Sequence, residues 1–270
     1  MACNKIHPGL KARTLFAFVL GALLVSACTS QHRQTTPTLP VDTAAAPKKE
    51  ITIALLGATG MVGGFILNEA LSRGYDIRAL ARTPQKLAAF EQKITVVKGD
   101  ARDFSAINTL LQGSQVVIST LGPVKADGNA AIMLSTTATA NIVQLMPAHN
   151  IERYIVVSGA AVRTPSDKRK LTGWLLRQGA SITLNETLKD KQAEYQLLAG
   201  SPLAWTLVRC PLIDPEPVAQ EASAGPAPLY QASLETPSSF RLRAGDLARF
   251  IVDQIDSGEY LRQAPFLSSH

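Results

Sequence analysis

The chain has 270 residues, 46% of them apolar, which suits an α/β domain with a sizeable core and excludes a small disulfide-held or disordered scaffold. Its net charge of +6 is mild and scattered, and part of it stands in an acid-free start at Lys5, Lys11 and Arg13, so it does not describe a nucleic-acid-binding face. Of the three cysteines, Cys3 and Cys28 stand near the start, so Cys210 is left without an intrachain partner, and His7, His32, His149 and His270 show no metal-ligand spacing.

The basic start leads into an apolar run, Thr14 to Val25, too short to span a membrane and sized for the core of a signal peptide. The run ends Val25-Ser26-Ala27-Cys28, which resembles a bacterial lipobox, with small residues before a cysteine that becomes lipidated. Thr29 follows where an Asp would signal inner-membrane retention, so the resemblance favours the outer membrane. The expected organisation is a signal peptide over 1–27, a lipidated tether over 28–50 and a dinucleotide-binding domain over 51–270, on the periplasmic side of a bacterial envelope. The tether is threonine- and proline-rich without apolar periodicity, the composition of a flexible linker. An uncleaved anchor, or a cytoplasmic enzyme whose true start lies downstream, is the alternative.

Ile51–Leu56 is a continuous apolar run, as a strand covered on both faces requires. It passes through Gly57-Ala-Thr-Gly60-Met-Val-Gly63 into a helical segment, 61–73, that stops at Gly74. This is the layout of a dinucleotide-binding βα turn. Gly57 allows the sharp turn, Gly60 lets the backbone approach a pyrophosphate, and Gly63 lets the helix pack on the sheet. Thr59, Met61 and Val62 complete the loop, whose N–H groups and helix dipole hold the diphosphate. A purely structural turn can use the same glycines; the flanking strand and helix favour the cofactor.

Strand and helix then alternate. Strands are expected over 76–81, 94–97, 116–121, 154–157 and 204–209. Helices are expected from Thr83-Pro84, with Thr83 as cap, from Asp103 to Leu111, and over 130–149, 166–178, 186–198 and 246–255. Residues 215–237, rich in Pro, Ala and Ser, read as a long loop or lid. The pattern predicts an α/β fold, a Rossmann-like doubly wound parallel sheet with a looser C-terminal substrate region.

The end of the second strand chooses the cofactor, since an acid there binds the ribose 2′-hydroxyl and an arginine a 2′-phosphate. The strand ends Ala81-Arg82-Thr83 with no acid, so Arg82, with the Thr83 hydroxyl, predicts NADP(H) over NAD(H). Arg78 is a second basic residue of that strand, its side unassigned. Asp100, after the third strand, is placed to accept from the adenine amino group. Thr120, Leu121 and Gly122, after the fourth, are placed against the ribose and nicotinamide. Cys210, in an apolar strand, reads as an inert buried thiol.

These segments together, with Val97-Lys-Gly-Asp100, Tyr154-Ile-Val-Val-Ser158 and Ala204-Trp-Thr-Leu-Val-Arg209, resemble the NmrA-like branch of the atypical short-chain dehydrogenase/reductases. The resemblance runs from about Ile51 to Ile255. It implies NAD(P)H binding and a small-molecule substrate. Its members include reductases of flavins, quinones and biliverdin, assembly factors, and redox sensors that do not turn the dinucleotide over. Ser158 stands at the family's catalytic serine and Lys191 where the lysine falls. The residue four before Lys191, however, is Thr187 where the usual proton donor is a tyrosine, and Tyr195 lies on the wrong side of the lysine. Hydride transfer to a flavin or quinone, which needs less acid catalysis, is therefore the expected reaction. A non-catalytic sensor or assembly factor, or an envelope scaffold that has lost the cofactor, is the alternative.

Overall fold

β1 (Thr52–Leu56) lies at the centre of an eight-stranded sheet because every one of its side chains can be buried: Ile53 and Leu55 point to one apolar layer, Ala54 and Leu56 to the other. A computed structural model describes residues 50–122, 128, 132–167, 185–216, 230–237 and 239–270. Flanking β1 are β2 (Asp76–Ala81), β3 (Thr95–Lys98), β4 (Val116–Ser119), β5 (Arg153–Gly159) and β6 (Ala204–Cys210). Further on come β7 (Leu212–Asp214), β8 (Tyr230–Ser233), β9 (Arg241–Arg243) and β10 (Phe266–Ser269). The sheet runs β3-β2-β1-β4-β5-β6-β10-β8, parallel except for β8, and β7 pairs with β9 separately. The order reverses between β1 and β4, and the carboxyl ends of the strands at such a point are where doubly wound sheets bind ligands.

Helices α1 (Met61–Ser72) and α5 (Ala244–Ser257) cover one face, with Ile66, Leu67, Leu247, Phe250 and Ile251 in its core. α2 (Phe104–Leu111), α3 (Leu134–Leu145) and α4 (Asn185–Gly200) cover the other, through Ile107, Leu110, Ile142 and Leu198. Helix ends follow local chemistry. Asp103 caps α2, its carboxylate accepting from the Ser105 N–H at 2.9 Å, and Gly74 and Gly113 take the left-handed backbone that ends α1 and α2.

Several expectations need correction. The segment after Thr83 is a 3₁₀ helix, Pro84–Phe90, with Pro84 in its first turn but no side-chain cap from Thr83. The helix expected from residue 130 starts at Leu134, behind Met133 in a left-handed conformation, and ends in a 3₁₀ turn, Met146–His149. Its cap comes from another helix: the Asp190 carboxylate accepts from the Ser135 and Thr136 N–H groups at 3.0 and 2.8 Å. The short tail is β10, between β6 and β8, and β8 falls inside the segment expected to be a loop. Residues 168–178 and 217–229, part of the expected helix and lid, lie outside the described residues.

Candidate functional site

The turn after β1 shows which glycines the fold itself requires. Gly57 has φ +84°, and a Cβ on it would collide with Thr120 Oγ1. A Cβ on Gly63 would collide with the Gly57 carbonyl, so close packing of α1 on the turn demands that glycine too. Gly60 differs: it is exposed, with ordinary φ of −85°, and a Cβ would meet only the Gly57 oxygen, at 3.3 Å. Its N–H closes the turn by donating to that oxygen at 2.9 Å. No side chain caps α1 and no acid stands in its first turn, so the start of the helix presents main-chain donors and the positive end of its dipole. Thr59 and Met61 are exposed beside it and Val62 is half-buried.

At the ends of the neighbouring strands the charge is positive. Arg82 and Thr83 are exposed where β2 ends. Asp100, after β3, is gripped side-on by Arg102, whose Nε and Nη2 donate to its two oxygens at 2.9 and 2.7 Å, with the Arg102 N–H adding a third bond at 2.9 Å. The Arg102 hydrogen bonds, with a smaller contribution from the Arg82 charge, hold the Asp100 carboxyl at about 2. Arg102 thus joins Arg82 around one carboxylate, and the sequence reading had missed it. Arg78 is turned away: it donates to the Leu110 and Thr109 carbonyls at 3.1 and 2.8 Å, closing the C-terminus of α2.

Thr120 ties the end of β4 to that of β1, its N–H and hydroxyl both donating to the Leu56 carbonyl at 3.0 and 3.1 Å. Leu121 is half-buried against the core, while Gly122 has open space where a Cβ would be.

Ser158 and Lys191 come together at the end of β5. Ser158 is 5% exposed, and its Oγ has no hydrogen-bond partner among the described residues. The Lys191 ammonium, from α4, donates to the Val157 carbonyl at 3.1 Å and to Glu194 at 2.8 Å. Glu194 is fully buried, which pushes its carboxyl up, while the Lys191 charge and hydrogen bond pull the other way. Its second oxygen accepts from Thr139 Oγ1 at 3.1 Å. With that proton directed to Glu194, Thr139 accepts from the Tyr154 hydroxyl at 2.9 Å, which also bonds Ser119. Burial raises the Tyr154 hydroxyl far above its ordinary range. Tyr195 packs edge-on against Trp205, ring centroids 6.0 Å apart, as a core aromatic does. Cys210 is buried, and burial pushes its thiol up.

Arg209 lies opposite Ser158 in the β5–β6 register and is 1% exposed. It donates to Ala264 O at 2.8 Å, Val162 O at 3.3 Å and Asp167 at 2.7 Å, and its guanidinium stands 3.6 Å from the Phe266 ring centroid. It fastens the loop after Ser158 to β10. Two open depressions, of about 460 and 530 Å³, lie at the amino ends of the strands, around Arg78 and Lys93 and around Asn150 and Arg262, away from this chemistry.

A doubly wound sheet with an uncapped glycine turn at its switch point defines a dinucleotide-binding α/β protein. The chain belongs to the NAD(P)H-binding family, whose model matches residues 57–258. It is similar to cinnamoyl-CoA reductase 1 of Petunia hybrida, 23% identical over 124 residues, covering 42% of this chain and 37% of that one. It is also similar to photosystem II assembly factor Ycf39 of Cyanophora paradoxa, 27% identical over 109 residues, covering 40% and 34%. The chain thus matches little more than a third of the length of these relatives. Among solved structures, the anaerobilin reductase ChuY of Escherichia coli O157:H7 superposes with a TM-score of 0.65 at 18% identity, covering 81% of this chain and 96% of that one. A wide-type short-chain dehydrogenase/reductase of Veillonella parvula in complex with NADP gives 0.62 at 17%, covering 81% and 94%. A Burkholderia pseudomallei protein classed as a candidate exported protein gives 0.59 at 23%, covering 81% and 99%. At these identities the likeness is one of fold.

Proposed function

We propose that this protein is an NADPH-dependent oxidoreductase of the NmrA-like, atypical short-chain type, passing hydride to a flavin, quinone or other small conjugated acceptor. The observation that carries the reading is the end of β2: Arg82 and Thr83 stand there without an acid, Arg102 adds a second guanidinium nearby, and the uncapped α1 starts beside them. These residues fit the cofactor. Gly60 is the glycine the turn does not need for its own packing, and it leaves a bare backbone where a diphosphate approaches.

The first-turn N–H groups at Met61, Val62 and Gly63 would hold the diphosphate, Arg82 and Thr83 the 2′-phosphate, and Asp100 the adenine amino group. Thr120, Leu121 and Gly122 would line the ribose and nicotinamide, beside Ser158. The cofactor supplies a hydride, and the protein's part is to orient it and exclude water. The test is fluorescence titration of the full chain with NADPH and NADH. NADPH binding that is lost on R82A supports the pocket; binding of neither dinucleotide discards it and leaves a scaffold.

A second reading, a dinucleotide sensor or assembly factor, is favoured by one observation: Thr187 stands where the tyrosine of the usual dyad belongs. NADPH binding without turnover of any quinone or flavin selects it.

We also propose that the chain is lipid-anchored at Cys28 on the periplasmic side of a bacterial envelope, with the outer membrane favoured. The charge, length and small-residue pattern of residues 1–28 support this, as does the candidate exported protein of the same fold. No helix among the described residues is long and apolar enough to cross a membrane. Membrane fractionation of C28A tests the anchor: the variant should move to the soluble fraction, and unchanged membrane association rejects lipidation.

A further inference from the structure

Lys191 and Glu194 form an ion pair inside the wall of the proposed site, with side-chain exposures of 8% and 0%. An ion pair so deeply buried is weak evidence of stabilisation, since apolar residues of similar volume often pack as well. What distinguishes this one is its neighbourhood. An ammonium has three N–H donors, and among the described residues Lys191 uses two, on Glu194 and on the Val157 carbonyl. The residue after Val157 is Ser158, whose buried hydroxyl also has no partner among the described residues. One ammonium hydrogen and one hydroxyl are therefore left for a ligand at the carboxyl end of β5, the edge at which the fold binds its cofactor.

The side chains behind the lysine are ordered to keep it charged. Ser119, Tyr154 and Thr139 form a hydrogen-bonded chain that ends by donating to Glu194, so it favours the carboxylate over the acid. Asp190, one residue before Lys191, also acts on Glu194 but is bound to the start of α3. Burial keeps neutral both the Cys210 thiol, on which the Lys191 charge acts, and the Tyr154 hydroxyl, on which the Glu194 charge acts. Glu194 is thus the counter-charge in direct contact with the ammonium.

We infer that Ser158 and Lys191 together bind the oxygen of the hydride acceptor, that Lys191 gives that oxygen the proton a tyrosine would otherwise supply, and that Glu194 is the positioning residue that keeps the lysine protonated. This rests on the NADPH reading and narrows the substrate class to acceptors whose reducible carbon is bonded or conjugated to an oxygen, carbonyls and quinones. When bound, NADPH would supply the hydride to the acceptor carbon; as the C=O π bond opens, the acceptor oxygen would take the proton from Lys191 Nζ, leaving NADP⁺, a neutral lysine and the reduced acceptor, and solvent would return the proton to the lysine. Thr187 needs no role in this scheme.

The test uses the full chain, with fluorescence titration for NADPH binding and menadione as the carbonyl-bearing probe. K191M and S158A should retain NADPH binding while kcat with menadione falls about 100-fold or more, the scale of general acid catalysis. E194Q should lower kcat with menadione while NADPH affinity holds, and E194D, which keeps the negative charge beside the ammonium, should recover part of the loss, a pattern that lost packing alone does not produce. Should E194Q not fold, K191M/E194Q, which removes both charges of the pair, should fold and match K191M in turnover. Wild-type kcat in K191M overturns the inference, as does NADPH binding with no reduction of menadione, or an E194D variant no more active than E194Q. A wild-type chain that binds no dinucleotide fails one step earlier, at the cofactor reading, and is recognised as such by the binding titration alone.

Discussion

Thr120 occupies the space that a side chain on Gly57 would need: its hydroxyl donates to the Leu56 carbonyl at 3.1 Å, and its Oγ1 lies where the missing Cβ would stand. The end of β4 is thereby locked onto the end of β1 at the point where strand order reverses. Two glycines of one motif then have different duties, which mutation separates. G57A forces a left-handed conformation on alanine and drives its methyl into Thr120; the two effects together should cost about 2–4 kcal/mol. G60A has a permissive backbone, and its methyl needs the Gly57 oxygen to yield by only a few tenths of an ångström, so it should cost less than G57A, about 1 kcal/mol, while losing NADPH affinity, since that methyl stands where the diphosphate belongs. Urea unfolding and fluorescence titration of the two full-chain variants check both halves.

Cofactor choice should follow the arginines. R82A removes charge-assisted hydrogen bonds to the 2′-phosphate, worth about 1.5–3 kcal/mol, so NADPH affinity should drop about 10–100-fold with NADH affinity little changed. R102A should show a smaller loss of the same sign, because its guanidinium is already engaged by Asp100. Equal losses for both dinucleotides in R82A would remove it from the 2′-phosphate site.

How much of this could be read from the chain depends on whether the signal is local. The strands β1 to β6 announce themselves as apolar runs, and Asp103, Gly74 and Gly113 mark helix ends by chemistry that acts within a few residues. β10 could not be found that way: Phe266–Ser269 is four residues, two of them serine, and it is a strand only because β6 and β8 flank it. The catalytic side shows the same limit. Lys189–Glu186 and Lys191–Glu194 are ion pairs three residues apart on one helix, yet the first is 59% and 64% exposed and the second 8% and 0%. Nothing in their spacing tells them apart; only the packing of α4 on β5 does. The sequence assigns Arg78 no side and does not single out Arg102 for a related reason, since which arginine reaches the site depends on the helices around it.

Acid should weaken the fold through Asp100. Its carboxyl is held at about 2, below the ordinary value of 3.8, chiefly by hydrogen bonds from Arg102. A depressed folded-state value means the unfolded chain binds the proton more readily, so this contribution is complete above about pH 4 and is lost as the pH falls toward 2. The group is half-buried at the surface, open enough for salt to screen it, so the effect is small. D100N should therefore unfold at a urea midpoint that depends less on pH between about 4 and 2 than that of wild type; parallel curves for the two would show that the Arg102 grip adds nothing.

The last prediction concerns what holds the floor of the site. Arg209 joins three pieces of chain distant in sequence: the loop carrying Val162 and Asp167, its own strand β6, and Ala264 at the approach to β10. Its charge is buried, which lowers its affinity for the proton, and Asp167 and the face of Phe266 compensate. R209A would leave two carbonyls and a carboxylate short of a donor, at a cost of about 3 kcal/mol, near the lower figure for breaking a buried ion pair because Asp167 is partly open to water. R209K should recover only part of that, because an ammonium cannot match a planar fork reaching three acceptors on two separate segments. The loss should be seen first as faster amide exchange over 160–167 and 264–269, ahead of the β1–β4 core. Uniform exchange across the sheet in R209A would show that Arg209 supports the whole fold and not the wall beside Ser158.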